Sequence, residues 1–157
     1  MNKNDSRFDQ VLSQFFRIIA ILSLAFASLC ILKVEDTGTN LCIYEYLQPQ
    51  KATYFNELFG TSSDDPTLLS TMGIVGIFFF FILLLSFRRA WYVVILWLYA
   101  IFQFIIILMI ETASISKIIY DSIVYCHNGW LFAWVIGQSI FIVFSFVYIF
   151  YGTETNV

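Results

Sequence analysis

Long uncharged stretches divide the chain into four apolar segments. They run from Phe15 to Leu32, Leu68 to Phe87, Ala90 to Ile110 and Trp130 to Tyr151. About 20 helical residues, each rising 1.5 Å, cross the hydrocarbon core of a bilayer. The last three segments have that length. The first is shorter, but the charges of Arg17 and Lys33 can reach the two interfaces. Lipid offers no partner to an unpaired backbone, so each segment is predicted to be helical.

This pattern predicts an all-α membrane protein with residues 1–157 in one domain. The predicted fold is an antiparallel four-helix transmembrane bundle, in which outer loops 33–67 and 111–129 form a small extracellular cap with room for short β-strands. A cleavable signal peptide is the rival interpretation of the first segment, because Ala25-Phe26-Ala27 offers a cleavage site. Asp5 and Asp9 in the charged region, and an apolar run that continues past Ala27, favour a retained span.

Basic residues in short loops set the orientation of a membrane protein. Lys3, Arg7 and Arg17 precede or open the first span, and Arg88-Arg89 forms the tight turn between the second and third. The opposite side has fewer basic residues over longer loops and most of the carboxylates. We therefore expect both termini to be cytoplasmic. A plasma membrane is favoured, and an organelle inner membrane stays open.

The outer loops contain weaker secondary-structure signals. Leu41–Leu47 is predicted to be a strand, with Leu41, Ile43, Glu45 and Leu47 on one face. Ala52, Phe55, Leu58 and Phe59 recur at helical spacing and predict a short amphipathic helix. Asp65 is predicted to cap the second span, with Pro66 at its first position. In the second loop, the run Ile118–Tyr125 fits a strand or a helix, and we expect helix first and extended chain near Tyr125.

Composition supports a membrane protein and argues against several functions. Sixty per cent of the residues are apolar and 12 per cent are charged, which is about half the share in soluble domains. No basic block exists in the sequence, so no nucleic-acid partner is expected. We predict no catalytic residue, no cofactor and no metal, because zinc-ligand spacing, a glycine-rich phosphate loop and GxSxG are all missing from the sequence. The expected partners are membrane lipid and other membrane proteins, with a second copy of the chain among them.

Two of the three cysteines fall in the outer loops. A disulfide between Cys42 and Cys126 is available if that side is oxidising, whereas free thiols are expected in a reducing compartment. Cys30 lies in the first span and is predicted to be a small packing residue. His127 follows Cys126 directly, but adjacent residues on a loop usually diverge. A Cys–His enzyme is therefore not predicted.

Glutamines and small residues stand out within the spans. Gln103 and Gln138 lie at similar depth on sequential helices, so we predict that the two amides hydrogen-bond each other. The alternative is a polar patch for a lipid or a permeating species. Small residues are predicted to bring helices close together, within the bundle rather than between copies. They are Gly129, Ala133 and Gly137 on the fourth span, Ser23 and Ala27 on the first, and Gly73 and Gly76 on the second.

The loop plan resembles the claudin and peripheral-myelin-protein-22 group of tetraspan proteins. Gly129-Trp130-Leu131-Phe132-Ala133-Trp134 is similar to the opening of the fourth span in that group, and Thr39-Asn40-Leu41 is similar to the approach to its first-loop signature. The signature itself is incomplete. Leu41 is followed by Cys42, and loop one has no Trp and no second Cys, so the family's disulfide within that loop cannot form.

The resemblance implies a non-enzymatic tetraspan protein that organises membrane or cell-contact assemblies. The alternative is an accessory subunit of a larger complex, such as a channel or an energy-transducing assembly. A small channel or transporter is less favoured, because no ionisable residue lies in the middle of a span.

Overall fold

Five helices and two short strands make up the described part of the chain, residues 3–36, 41–45, 51–54, 65–86, 88–109 and 115–151. The computed structural model orders them as α1 (Lys3–Asp36), β1 (Cys42–Glu45), β2 (Lys51–Tyr54), α2 (Asp65–Leu85), α3 (Arg89–Met109), α4 (Ile115–Val124) and α5 (Gly129–Tyr151).

Three of the helices are long and apolar enough to cross a membrane. Their apolar parts are Gln10–Val34 in α1, Arg89–Leu108 in α3 and Gly129–Phe150 in α5, and a shorter apolar helix covers Leu69–Leu85. These helices are compatible with a membrane bundle and mark the chain as membrane-embedded. Uncharged runs predicted α2, α3 and α5 to within a few residues. By contrast, α1 begins at Lys3 rather than at Phe15.

Helix α1 lies at the centre of the bundle and packs most extensively against α5 and then against α2, whereas α3 packs mainly against α2. One buried cluster joins these four helices through residues such as Leu24, Leu83 and Phe141. The other joins them to Leu41 and to Ile118 of α4. We call the end that carries Arg17, Arg88 and Arg89 the arginine end, and the end that carries β1, β2 and α4 the cap end.

The two strands form an antiparallel pair, in which Cys42 lies opposite Tyr54 and Glu45 lies opposite Lys51. The predicted strand in Leu41–Leu47 is therefore confirmed for Cys42–Glu45. The predicted amphipathic helix is wrong at Ala52, which belongs to β2. Pairing with the backbone of β1 holds this residue in a strand, and the helical spacing of a few apolar residues is too weak a preference to outweigh that pairing. Phe55, Leu58 and Phe59 lie outside the described residues.

Helix α4 replaces the strand considered for the second loop and confirms the helix expected first. The extended chain expected near Tyr125 is wrong, because the chain turns after Val124 and the N–H groups of Tyr125 and Cys126 both donate to the carbonyl of Asp121. The helical periodicity of α4 places Ile118, Asp121 and Ser122 on the buried side and Lys117 and Tyr120 in the open. Helix α2 begins at Asp65, one residue before the predicted first position at Pro66. The side chain of Asp65, and with it the predicted cap, lies outside the described residues.

Candidate functional site

A disulfide between Cys42 and Cys126 fastens the β1–β2 hairpin to the bundle. The bond joins the first residue of β1 to the turn before α5, with the two Cα atoms 6.5 Å apart and a sequence separation of 84. The predicted pairing is confirmed. Cys126 is consequently not a free thiol beside His127, and Cys30 is buried in α1 as expected.

Ser122 of α4 holds the same point of the hairpin without a covalent bond. Its fully buried Oγ accepts a hydrogen bond from the backbone N–H of Cys42 at 3.0 Å and donates one to the carbonyl oxygen of that residue at 3.4 Å. Leu41 lies in the apolar cluster beside it. Sequence reasoning missed Ser122, because no local pattern links a serine to a backbone 80 positions away.

The turn between α4 and α5 places Cys126 for this bond. His127 has a φ of 51°, in the left-handed region that histidine enters more often than most residues. The chain then folds back, and the N–H of Asn128 donates to the carbonyl of Ser122 at 2.9 Å. Asn128 Oδ1 accepts from the N–H of Leu131 at 3.0 Å and so caps α5. An asparagine just before an apolar run was the available signal for this cap.

Three polar contacts connect α3 to α5 along the bundle. Arg89 Nη2 donates to the carbonyl of Tyr148 at 3.1 Å, the Tyr92 hydroxyl lies 2.8 Å from Ser145 Oγ, and Gln138 Nε2 donates to the Tyr99 hydroxyl at 2.8 Å. We call these six residues the polar seam. Long side chains form all three contacts, since the backbones of α3 and α5 approach each other less closely than those of α1 and α5.

The predicted bond between Gln103 and Gln138 is wrong, although both amides occupy the expected region. Gln138 donates to Tyr99, and Gln103 Nε2 donates to the carbonyl of Met72 at 3.4 Å while also interacting with the Tyr99 hydroxyl. Tyr99 therefore stands where a direct amide pair was expected. Its phenol reaches across a gap that two glutamine side chains do not close.

A groove of about 450 Å³ opens sideways between α3 and α5, next to the polar seam. Along its length, the apolar groove runs from Val93 and Phe150 at one end to Gln103 and Gln138 at the other. The aromatic side chains of Trp97, Phe146 and Phe150 stand around it and are all more than half exposed. The groove thus faces the surroundings of the bundle rather than its core.

At the arginine end, Arg17 caps the carboxyl end of α2. Its Nη2 donates to the carbonyl oxygens of Leu83 at 3.1 Å and of Ser86, and the residue is 8% exposed. The charge of Arg17 was predicted to reach an interface; it does lie at the end of α2, but buried there rather than exposed. The last carbonyls of a helix lack intrahelical partners and carry partial negative charge, so they attract the guanidinium. Arg88 is exposed and Arg89 half-buried at this same end, as the predicted grouping of basic residues requires.

Small residues bring α1 close to α2 and α5. A Cβ on Gly137 would lie 2.9 Å from Ala27 Cβ, and one on Gly73 would lie 2.9 Å from the carbonyl oxygen of Ser28. A Cβ on Gly76 would likewise meet the Ser28 side chain. Packing within the bundle is thus confirmed for Ala27, Gly73, Gly76 and Gly137.

The prediction is wrong for Gly129, where a Cβ would meet nothing within 4 Å, because this residue only opens α5 beyond the packed part of the bundle. Ala133 and Ser23 are half-buried, and the Ser23 hydroxyl donates to Ala20 of its own helix.

Comparisons with protein-family models, with curated proteins and with solved structures found no match to this chain. Among the described residues, no three His, Cys, Asp or Glu side chains are grouped so that they could hold a metal ion.

Proposed function

We propose that the chain is a non-enzymatic four-span membrane protein that organises assemblies with other membrane proteins through its cap. Helix α2 is the proposed fourth span, since its 21 residues are about 31 Å long at 1.5 Å each. A hydrocarbon core is roughly 30 Å thick. This plan is the one implied by the resemblance to the claudin and peripheral-myelin-protein-22 group, with the plasma membrane as the corresponding location.

In this proposal the arginine end is cytoplasmic and the cap end is extracellular or lumenal. Lys3, Arg7, Arg17, Arg88 and Arg89 support that orientation through the distribution of basic residues in short segments. The Cys42–Cys126 bond supports it independently, because disulfides persist on the oxidising side of a membrane.

The observation that carries the proposal is the fixing of the cap. One residue, Cys42, is bonded covalently to the turn before α5 and by two hydrogen bonds to Ser122 of α4. The β1–β2 hairpin is therefore presented in a set position. A surface ordered in advance loses less conformational entropy when a partner binds, so such fixing suits a contact surface.

Two measurements test this function. Tags at either terminus should be inaccessible on intact cells, and a tag near Ser62 should be accessible. Opposite accessibility of the two termini would exclude four spans. After mild detergent extraction, native mass measurement should then find an assembly that a Cys42→Ser/Ser122→Ala variant loses while its bundle stays folded. Cys30→Ser is the matched control, and an assembly that survives release of the cap would contradict the proposal.

A second candidate, an accessory subunit of a larger complex, is favoured by the surface of α3. Trp91, Trp97 and Phe104 of this helix are 60–66% exposed, and α3 makes its main helix contact with α2 alone. A photo-crosslinking residue at Trp97 should then capture one protein of defined mass. Capture of a protein at Trp97, together with an assembly that survives release of the cap, would favour this candidate over the first.

A further inference from the structure

The groove between α3 and α5 has the size and wall chemistry of a ligand site. Its volume of about 450 Å³ lies within the roughly 300–1,000 Å³ of small-molecule sites. The polar groups beside it are already paired within the protein. Tyr99 accepts from Gln138, Met72 O accepts from Gln103, and Tyr92 is bonded to Ser145. The walls therefore offer hydrocarbon contacts, which suit an apolar occupant rather than a permeating polar one.

The length of the groove matches one leaflet of a bilayer. From Val93 to Gln103, helix α3 rises about 15 Å at 1.5 Å per residue. This is half of a hydrocarbon core roughly 30 Å thick. The groove starts at the arginine end and stops at the depth of the two glutamines. One acyl chain lying along α3 would fill it.

A partner helix fits this groove less well than an acyl chain. Helices approach closely where small residues line both surfaces. Here Trp97, Phe141 and Phe150 line the groove, and Ala100 is the main small residue along its α3 wall. A flexible chain can follow such uneven aromatic walls, whereas a helix about 10 Å across would stand off from them.

Positive charge lies at the mouth of the groove. Arg89 is one turn before Val93, and its guanidinium carbon stands 5.7 Å from the centre of the Tyr148 ring. A guanidinium has five N–H donors, and the bond to Tyr148 O uses one of them, so Arg89 can also donate to a phosphate. Arg88 is exposed at the same end but lies on the side of α3 that faces α2, with Ile82 and Leu85. Along α1, positions 5 and 9, both Asp, come two to three turns before Arg17.

We infer that this groove binds one acyl chain of an anionic phospholipid whose phosphate contacts Arg89. In the orientation proposed above the lipid belongs to the cytoplasmic leaflet, where anionic lipids are concentrated. The site itself does not depend on that orientation, because the groove and Arg89 lie at the same end of the bundle, whichever side of the membrane that end faces.

The test uses the full-length protein in bilayer discs that contain equal amounts of phosphatidylglycerol and phosphatidylcholine with identical acyl chains in both leaflets. Native mass spectrometry then counts the lipids retained. We expect one retained phosphatidylglycerol, preferred about fivefold or more, since a basic residue near the surface contributes about 1 kcal/mol. Equal retention of the two lipids, or retention of a protein in place of lipid, would overturn the inference.

Two pairs of variants separate the charge from the groove. Arg89→Gln should lower the preference about fivefold, whereas Arg89→Lys, which keeps the charge, and Lys33→Gln at the cap end should leave it in place. Val93→Trp should fill the groove and remove retained lipid of both kinds. Val94→Trp, on the neighbouring outward-facing position, should not. An intact Cys42–Cys126 bond and a single species in size-exclusion chromatography confirm folding. Equal retention by the two Trp variants contradicts the site.

Discussion

The Tyr92 hydroxyl lies 2.8 Å from Ser145 Oγ, and this contact sets the register of two antiparallel helices. Seven residues further along α3 and seven residues back along α5, Tyr99 meets Gln138. Three residues in the opposite sense, Arg89 meets Tyr148. Steps of three and seven residues keep to one face of a helix, so a single pair fixes the positions of the other two.

We expect Tyr99→Phe to destabilise the bundle more than Tyr92→Phe does. Without the Tyr92 hydroxyl, Ser145 can donate to a carbonyl one turn back on its own helix. Without the Tyr99 hydroxyl, the amide of Gln138 loses its acceptor among the apolar side chains of the groove. Hydrogen bonds between membrane helices are worth about 0.6 kcal/mol on average and up to about 1.7 kcal/mol. Tyr99→Phe should approach the higher value and Tyr92→Phe should stay below the average.

Detergent-titration unfolding of Tyr92→Phe and Tyr99→Phe measures this difference. Gln138→Leu and the double variant Tyr99→Phe/Gln138→Leu complete a double-mutant cycle for the contact between the phenol and the amide. The double variant should recover part of the loss, because both partners of the bond are then apolar. Additive single effects would show that the phenol and the amide do not interact. A cycle between Gln103 and Gln138 should give weaker coupling than the one between Tyr99 and Gln138.

Gly137→Ala should lower the free energy of unfolding, and Gly129→Ala should not. The new methyl at position 137 would lie 2.9 Å from Ala27 Cβ and 3.2 Å from Ala27 Cα, so α1 and α5 must move apart. Overpacking of this kind costs about 1–3 kcal/mol. At position 129 the methyl meets nothing within 4 Å. Comparable losses in the two variants, measured by thermal unfolding in the same detergent, would contradict the close approach of α1 and α5.

Arg17→Met should destabilise the arginine end. Methionine keeps much of the side-chain volume but removes the donors to Leu83 O and Ser86 O, which then lie buried at the end of α2. A hydrogen bond to a charged group contributes about 1.5–3 kcal/mol. Lys33→Met is the control, because Lys33 is exposed near the other end of α1. Hydrogen exchange at the last turn of α2 should rise in the first variant alone.

Hydropathy alone predicted the long helices, because bilayer thickness sets how long an uncharged run must be. The ends of α3 and α5 lie within one residue of the predicted ends. The Cys42–Cys126 pair could also be predicted, since two loops on the same side contained just these two cysteines. Both inferences depend on properties of whole segments, which can be read from the sequence without knowing where individual side chains point.

Inferences about particular contacts succeeded less often. Gln103 and Gln138 were assigned the right region but the wrong partners, because depth along a helix does not reveal how far apart two helices stand. Tyr99 fills that distance. Likewise, the charge of Arg17 was expected to reach an interface, but its burial against the last carbonyls of α2 could not be predicted from its position in the first span. Ser122 and Ala52 show the same limit, since their roles depend on β1, which lies far away in sequence or across a turn.

Removing the disulfide should loosen the cap without unfolding the bundle. The bond closes a loop across 84 positions, and loop-closure entropy sets an upper bound of about 4–5 kcal/mol on its contribution. The bound should not be reached, because the membrane already restrains the unfolded chain. The two hydrogen bonds between Ser122 and the backbone of residue 42, one accepted and one donated by the hydroxyl, also remain in Cys42→Ser/Cys126→Ser. Adding Ser122→Ala to that variant should therefore cost more than Ser122→Ala costs when the bond is present.

Protease cleavage of the β1–β2 region measures both costs of Ser122→Ala. Its rate should rise less from wild type to Ser122→Ala than from the cysteine variant to the triple variant. Non-reducing peptide mapping of protein purified with its thiols blocked supplies the chemical check. It should recover a Cys42–Cys126 peptide pair with Cys30 alone as a thiol. Two separately blocked thiols at positions 42 and 126 would instead place the cap in a reducing compartment. The same result would remove the oxidising-side argument for its orientation, and the hairpin would then be held by noncovalent contacts such as those of Ser122 and Leu41.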